Sequence, residues 1–434
     1  MAIILKNATF IDWQSLKFRE AHIRVEEGPR GSLEFLERIP EQLPEHEDTV
    51  LDCSGKLVTK AFGNAHHHVY STLALGMPAP PKKPAHFYEI LEFIWWRLDR
   101  ALDAEMIEAG ALAAAAACAK NGVTFVIDHH ASPNAVDGSL ETIARAFDRV
   151  GVSHLLCYEL SDRDGESARQ AALEETENYL KSGGQGLVGL HASFTVGDEL
   201  LRKAVFLAEK YAAGLHVHVA EDAMDQKFCW RDYGKRVIRR FNKAGVLDFD
   251  KTILAHCLHI DDQEREIVRN SKAFVVQNTE SNLNNNVGVF QSRGLGSRIM
   301  LGTDGMHSDM LRSAGVSFLI GQSEGVTPAE IYRRFREIHR YLAKNHFTGD
   351  GENNLVILNV DSPTEITPDN FLSHFVYGIE SRHVESVIAS GKLIVHQGKI
   401  LTVNEEDVLR FSREMGKKLW KKLAEGTADG IAGC

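Results

Sequence analysis

Two histidines, His66 and His68, follow an apolar run of the sequence and are separated by one residue. Side chains two positions apart on a β-strand point to the same face, so these imidazoles would lie side by side. A pair of this kind is half of a metal site. The chain supplies further candidate ligands, because His218 and Asp304 each follow another apolar run. Together with Glu221, these residues suit a catalytic metal that keeps one position open for water.

Each of these residues also has an interpretation without chemistry. His66 and His68 could form the polar face of a surface strand, and Glu221 could be a helix-start carboxylate that the helix dipole favours. Asp304 precedes Gly305 and could be an ordinary turn residue. The metal site remains the stronger interpretation, because each part of the set completes the others.

Eight mostly apolar runs divide the middle of the chain, and helix-like segments fill most of the gaps. The runs cover residues 56–65, 123–128, 152–159, 186–191, 214–219, 252–256, 273–278 and 298–303. Strands buried on both faces have this character, and their alternation with helices predicts an α/β fold with a TIM-type (β/α)8 barrel. The active site of such a barrel lies at the carboxyl ends of its strands. We therefore expect the polar residues that end these runs to converge on one rim.

The two ends of the chain differ from the middle. Both contain short alternating runs separated by turn signals, which is typical of β-strands. We predict a small composite β-sandwich from residues 1–56 and 355–434, and a barrel over residues 57–354. An amphipathic helix over residues 405–423 should close the chain.

Composition excludes several classes of partner. The 434 residues carry a net charge of −11, which disfavours nucleic acid, and no basic segment is present for anionic lipid. The start of the chain lacks a secretory signal pattern, and no stretch reaches the ~20 apolar residues of a membrane span. None of the cysteines forms a C-x-x-C pair, so we expect free thiols in a reducing cytoplasm. They are Cys53, Cys118, Cys157, Cys229, Cys257 and Cys434.

Several motifs, read in order and at the ends of the apolar runs, resemble those of a known superfamily. They are Gly63-Asn64-Ala65-His66-His67-His68, His218-Val219-Ala220-Glu221, Leu254-Ala255-His256-Cys257-Leu258-His259, Ser281-Asn282 and Leu301-Gly302-Thr303-Asp304-Gly305. The chain resembles the amidohydrolase superfamily, in particular the aminohydrolase/chlorohydrolase branch related to guanine and cytosine deaminases. Residues 94–100 and 126–133 look like those of the SsnA-type aminohydrolases.

The resemblance implies four ligands for one divalent metal, which are His66, His68, His218 and Asp304. Zn²⁺ is the first expectation and Fe²⁺ the alternative. Such a metal can lower the pKa of a water molecule to about 7, and Asp304 can accept the water proton. Glu221 would then be the proton shuttle, and His256 would orient water or substrate, unless it is a satisfied core histidine. The fourth apolar run ends in His191 and offers no lysine for carbamylation, which argues against a second metal.

Other polar and aromatic residues near the rim are candidate substrate contacts, namely His191, Gln277, Asn282, Trp96 and His129. Trp96 could instead pack in a helical core. The sequence leaves open the roles of His129, His130, His216, His259 and Glu280. His216 is either a packed histidine that supports the site or a direct participant, and Glu280 stands where the resembling family has a proline.

These observations predict a metal-dependent hydrolase that deaminates a small N-heterocycle such as a purine, pyrimidine or triazine-like ring. Hydrolysis of a cyclic amide or displacement of chloride at the same site is the alternative. A non-catalytic metal-binding scaffold is a different class, and it would leave Glu221 and His256 without a role. We also expect a homo-oligomer, a dimer or larger.

Overall fold

The computed structural model describes residues 2–29, 31–38 and 48–429. Its strands are β1 (Ala2–Ile11), β2 (Phe18–Glu26), β3 (Leu33–Leu36), β4 (Asp48–Asp52), β5 (Leu57–Lys60), β6 (Phe62–His67), β7 (Val123–His130), β8 (Ser153–Leu160), β9 (Val188–Ala192), β10 (Leu215–Val219), β11 (Ile253–His256), β12 (Phe274–Gln277), β13 (Ile299–Leu301), β14 (Leu355–Leu358), β15 (Val384–Ala389), β16 (Lys392–His396) and β17 (Lys399–Ile400). Its helices are α1 (Phe87–Ile90), α2 (Trp96–Ala101), α3 (Ala104–Lys120), α4 (Ser139–Val150), α5 (Gly165–Lys181), α6 (Asp198–Lys210), α7 (Ala223–Tyr233), α8 (Val237–Lys243), α9 (Asp262–Asn270), α10 (Thr279–Asn284), α11 (Met310–Gly321), α12 (Pro328–Lys344), α13 (Phe371–Tyr377) and α14 (Glu405–Asp429).

Strands β6 to β13 pair side by side in sequence order and run parallel, which confirms the predicted barrel. The barrel closes between β6 and the residues that follow β13. The carbonyl oxygen of His66 accepts hydrogen bonds from the backbone N–H groups of Thr303 (3.1 Å) and Asp304 (2.9 Å). The Asn64 side chain adds to this closure, because its Nδ2 donates to Thr303 Oγ1 at 2.6 Å. Barrel closure therefore brings two predicted ligands together.

Helix α12 closes the amino-terminal end of the barrel. It begins with a capping box, in which Thr327 and Glu330 satisfy each other's backbone N–H groups. Ile338 and Tyr341 of this helix belong to the same buried cluster as the inward-facing strand residues, and Tyr341 Oη donates to the carbonyl of Lys251 just before β11. A Cβ at Gly63 would lie 2.9 Å from the Ile338 side chain, so the glycine permits this close approach.

The other sheet combines strands from both ends of the chain, as predicted. Its order is β17-β16-β15-β14-β5-β1-β2-β3, and β4 also pairs with β1. It has a core of its own, to which Ile3, Ile23 and Leu355 contribute.

The strand expected over residues 56–65 is in fact two strands in different sheets. Ala61 N–H donates to the carbonyl of Asn354, whereas Phe62 N–H donates to that of Gly122, so the backbone changes partners between them. The domain boundary at residue 57 stays a prediction, and this change of partners favours Ala61 as the transition.

Five of the cysteines are buried free thiols, as expected, and Cys434 lies outside the described residues. None of the described helices combines the length and the apolar character that a membrane crossing requires.

We expect Ile338→Ala to destabilise the barrel by about 2–5 kcal/mol, because Ile338 is 1% exposed and its truncation leaves a cavity. The measurement is the urea dependence of unfolding. Leu319→Ala on α11 is the control, since Leu319 is 60% exposed and should change stability by less than ~0.5 kcal/mol. Equal unfolding midpoints for the two variants would contradict the role of Ile338.

Candidate active site

The four predicted ligands converge at the carboxyl ends of the barrel strands. His66 is the second-to-last residue of β6, and His68 follows the end of that strand. His218 lies in β10, and Asp304 follows β13. His68 Nε2 lies 3.1 Å from both Asp304 Oδ1 and His218 Nε2. His66 Nε2 lies 3.5 Å from Asp304 Oδ1. Residues separated by more than two hundred positions thus present their ligand atoms to one point.

Hydrogen bonds at the far side of each ring determine which imidazole nitrogen faces this point. His68 Nδ1 donates to the carbonyl of His129 at 2.6 Å, and His218 Nδ1 donates to that of His191 at 2.8 Å. Their Nε2 atoms therefore face the common point, and Nε2 is the nitrogen with which each ring would bind a metal once it carries no proton. Among the described residues, His66 Nε2 and His256 Nε2 are buried without a hydrogen-bond partner.

The electrostatics of the cluster favour a cation. Burial lowers the pKa of His66 to about 3 and that of His218 well below its usual value, so both rings are neutral near pH 7. At His68 burial acts in the same direction, but the bond with Asp304 outweighs it and raises the pKa to about 9. Burial alone would raise the pKa of the Asp304 carboxyl, yet the neighbouring His66 and His68 rings lower it well below its usual value. Three imidazoles and one ionised carboxylate fit a divalent metal of the zinc or iron type.

Glu221 and His256 lie beside this cluster. His256 Nε2 is 3.4 Å from Glu221 Oε2 and 3.7 Å from Asp304 Oδ2, so the imidazole lies between two carboxylates. The Asn282 side chain holds His256 in place, because its Oδ1 accepts a 2.8 Å bond from His256 Nδ1. Ser281 Oγ donates to Asp304 Oδ2 at 2.5 Å. Burial raises the pKa of the Glu221 carboxyl to about 7, and nearby His256 opposes part of that rise.

The backbone turns sharply where these strands end. Ala220, His256 and Asp304 have φ angles of 45°, 70° and 54°, in the left-handed region that non-glycine residues rarely adopt. Each such conformation costs about 1–3 kcal/mol and persists only where the surrounding structure holds it. The hydrogen bond from Ala220 N–H to Asp225 Oδ2 (2.9 Å) and the barrel closure at Asp304 supply that support.

A cavity opens above the cluster and has two kinds of wall. One wall is apolar and aromatic, and is formed by Phe87, Leu91, Trp95, Trp96, Phe194 and Met224. The other wall contains the buried carboxylates of Asp99 and Glu159. Arg163 forms an ion pair with Asp99, and its Nη2 lies 3.8 Å from Glu159 Oε1. The central carbon of its guanidinium is 5.4 Å from the centroid of the Trp96 ring. Within the part of the chain that the structure describes, Trp96 Nε1 and Asp99 Oδ1 have no hydrogen-bond partner.

The predicted substrate contacts divide into two groups. His191 and Trp96 line the cavity, together with Glu221. The structure does not bring His129, Asn282 or Gln277 to the cavity lining.

The three residues outside the lining have protein partners instead. His129 Nε2 donates to backbone carbonyls of β9 and β10, at 3.2 Å each, and Asn282 supports His256. Gln277 donates to Thr279 and accepts a 2.9 Å bond from the guanidinium of Arg334 on α12. Polar residues near the strand ends therefore contact helices and neighbouring strands as well as the cavity.

The residues whose roles the sequence left open also have defined partners. His130 Nε2 lies 2.9 Å from Ser132 Oγ, and His259 Nε2 donates to the carbonyl of Val287 at 2.7 Å. Glu280 accepts bonds from His307, Arg312 and Ser313. His216 lies directly beneath His66, with its Nε2 2.9 Å from His66 Nδ1.

The charged residues of the cavity wall, Asp99 and Glu159, and their partner Arg163 are not among the site residues predicted from the sequence. Glu159 ends the third apolar run, so the rule that barrel strands carry functional residues at their carboxyl ends could have identified it. Asp99 lies in a helix of the excursion after β6, and Arg163 lies in the loop after β8. Neither has a sequence signal of its own, because their ion pair joins segments that only the fold brings together.

Comparison with known proteins identifies the class. Residues 57–349 match the amidohydrolase family, and the chain therefore belongs to that family.

Two of the curated relatives are similar to this chain over most of its length. One is the 5'-deoxyadenosine deaminase of Methanopyrus kandleri, which is 28% identical over 92% of this chain and 95% of its own length. The other is the 5-methylthioadenosine/S-adenosylhomocysteine deaminase of Syntrophomonas wolfei, which is 25% identical over 87% of this chain and 90% of its own length.

Solved structures share the fold. An adenosine deaminase from Xanthomonas campestris with bound zinc superposes with a TM-score of 0.80, at 17% identity over 96% of this chain and 98% of that chain. An atrazine chlorohydrolase from Arthrobacter aurescens complexed with zinc also gives 0.80, at 15% identity over 95% and 100%. At these identities the comparisons establish the architecture.

We expect about one divalent metal per chain, and a loss of that metal in His66→Ala and Asp304→Asn, because each variant removes one converging ligand atom. Elemental analysis of the purified proteins measures it. His67→Gln is the matched control, since His67 faces away and its Nε2 lies 2.9 Å from Ser308 Oγ. Two tightly bound metals per chain, or normal metal content in both ligand variants, would contradict the assignment.

Proposed function

We propose that the protein is a metal-dependent deaminase that removes an amino group from a small N-heterocycle by hydrolysis. The observation that carries the proposal is that Glu221 lies beside the four converging side chains at the base of the cavity. His66, His68, His218 and Asp304 would hold the metal, and a bound divalent cation supplies a Lewis acid that activates water near neutral pH. We propose zinc as that metal, which the zinc in the two related structures supports, with Fe²⁺ as the alternative.

Two carboxyl groups with opposite pKa shifts support the acid–base assignment. Asp304 is ionised at neutral pH and can accept the proton that water loses as it attacks the ring carbon. Glu221 has a pKa of about 7 and can carry a proton to a ring nitrogen or to the leaving amine. The new C–O bond replaces the C–N bond. One proton of the water leaves with the amino group as ammonia, and the other stays on the oxygenated product. His256, held by Asn282, would orient the attacking oxygen between the two carboxylates.

The cavity supports a planar substrate with polar edges. Trp95 and Trp96 offer aromatic surface to a ring, and His191 and Glu159 offer polar atoms to its edge. A 6-aminopurine nucleoside is the first substrate class to test, because both curated relatives are named for such compounds. Dechlorination or cyclic-amide hydrolysis remains the second candidate, and the chlorohydrolase of the same fold is the observation that favours it.

The reducing cytoplasm is the proposed location, since buried free thiols are typical of that compartment. Assembly into a homo-oligomer stays a prediction.

A substrate panel tests the proposed activity. Zinc-loaded protein is incubated with adenosine, 5'-deoxyadenosine, guanine, cytosine and an amino-chlorotriazine, and released ammonia and chloride are measured. We expect ammonia from at least one aminopurine and no chloride from the triazine. Chloride release without ammonia from any compound would overturn deamination in favour of the second candidate.

We expect Glu221→Gln to keep its metal and lose about 10²- to 10⁴-fold in turnover, because glutamine preserves the shape but cannot transfer a proton. Ammonia release and metal content are measured on the same sample. Glu209→Gln, an exposed change on α6, is the control and should behave as wild type. A Glu221→Gln variant with normal turnover would disprove the shuttle, and loss of its metal would make Glu221 a ligand.

A further inference from the structure

A chain of buried polar contacts runs downward from His66 into the barrel. His66 Nδ1 lies 2.9 Å from His216 Nε2. On the other side of that ring, His216 Nδ1 lies 3.7 Å from Cys157 Sγ, which in turn lies 3.5 Å from the carbonyl oxygen of Asp128. All four residues are at most 1% exposed, so these contacts are shielded from bulk solvent.

The last member determines the direction of every hydrogen bond in the chain. A backbone carbonyl can only accept, so the Cys157 thiol donates to Asp128. The sulfur is then the acceptor for His216 Nδ1–H, which leaves the His216 Nε2 lone pair to accept from His66 Nδ1–H. A neutral imidazole has one N–H, so His66 Nε2 is left bare and faces the cluster.

His66 differs in this respect from the other two histidines of the cluster. His68 and His218 donate directly to backbone carbonyls, which leave no choice of direction. The partner of His66 is an imidazole, which can donate or accept equally well. If the donors and acceptors of these hydrogen bonds were reversed, His66 would present an N–H group to the cluster and could not bind a metal there. The direction therefore depends on the thiol.

We propose that His216 and Cys157 are positioning residues, which fix the His66 tautomer and so set the metal affinity of the site. The inference rests on the metal ligation proposed above. It predicts that changes two and three contacts away from the metal weaken metal binding without removing a ligand. Residues that orient a ligating histidine typically contribute 10- to 100-fold in metal affinity.

The test is the equilibrium affinity of the purified, metal-free protein for Zn²⁺, measured by competition with a chromophoric chelator. We expect His216→Phe, which fills the space but cannot accept a hydrogen bond, to bind Zn²⁺ about 10- to 100-fold more weakly. His216→Gln should recover most of the affinity, since its amide oxygen can accept from His66. Cys157→Ala should weaken binding, whereas Cys118→Ala, an equally buried thiol on α3, should not.

A direct spectroscopic readout separates this role from packing. In protein labelled with ¹⁵N-histidine, we expect His66 of the wild type to carry its proton on Nδ1, in both the metal-free and the zinc-loaded form. In Cys157→Ala, the metal-free form should show a mixture of tautomers at His66. Melting of the metal-free variants identifies any that fail to fold, and the comparison then uses Cys157→Ala and His216→Gln.

The outcomes distinguish this inference from the proposed site. Wild-type zinc affinity in both His216→Phe and Cys157→Ala, with binding abolished in His66→Ala, would overturn the positioning role and leave the metal site intact. Wild-type affinity in His66→Ala as well would overturn the metal site itself.

Discussion

The rest of the site depends on how the barrel closes. A single carbonyl oxygen, that of His66, accepts two backbone N–H groups from the segment after the last strand. This contact joins the first and last barrel strands and puts the side chains of His66 and Asp304 on the same side of the closure. The remaining predicted ligands come from positions that strand pairing fixes relative to these two. The convergence of these side chains is therefore a consequence of closing the sheet.

Two buried carboxyl groups, those of Glu221 and Asp304, have pKa values shifted in opposite directions. Both Glu221 and Asp304 are removed from water, which by itself disfavours their charged forms. Asp304 has two imidazoles and the Ser281 hydroxyl as partners, so its charge is stabilised. Among the described residues, the partners of Glu221 are Asn285, which donates a 3.3 Å bond, and the edge of His256, and burial raises the pKa of the Glu221 carboxyl to about 7. One desolvated environment thus yields an acceptor and a donor of protons, which is the arrangement that acid–base catalysis requires.

The sequence was sufficient to predict the barrel and the convergence of His66, His68, His218 and Asp304 at one rim. Apolar runs buried on both faces have few alternatives to parallel strands, and the carboxyl ends of parallel strands meet at one rim. The sequence was less informative about which way the polar side chains at the rim point. Asn282 lies in the short helix α10, where strand alternation does not apply, and Gln277 accepts a hydrogen bond from Arg334 of α12, a partner that only the fold provides. The ion pair of Asp99 with Arg163 could not be predicted from the sequence, because it joins the helical excursion after β6 to the loop after β8.

The two walls of the cavity have different origins in the chain. The proposed metal ligands come from strand ends, whereas Trp96 and Asp99 come from the helical excursion between β6 and β7. Residues in such an excursion can change without disturbing strand pairing, and loops of this kind carry much of the variation between barrel enzymes. Reaction type and substrate preference are consequently separable properties of this molecule. A lineage could exchange one excursion for another and acquire a new substrate while it inherited the same chemistry unchanged.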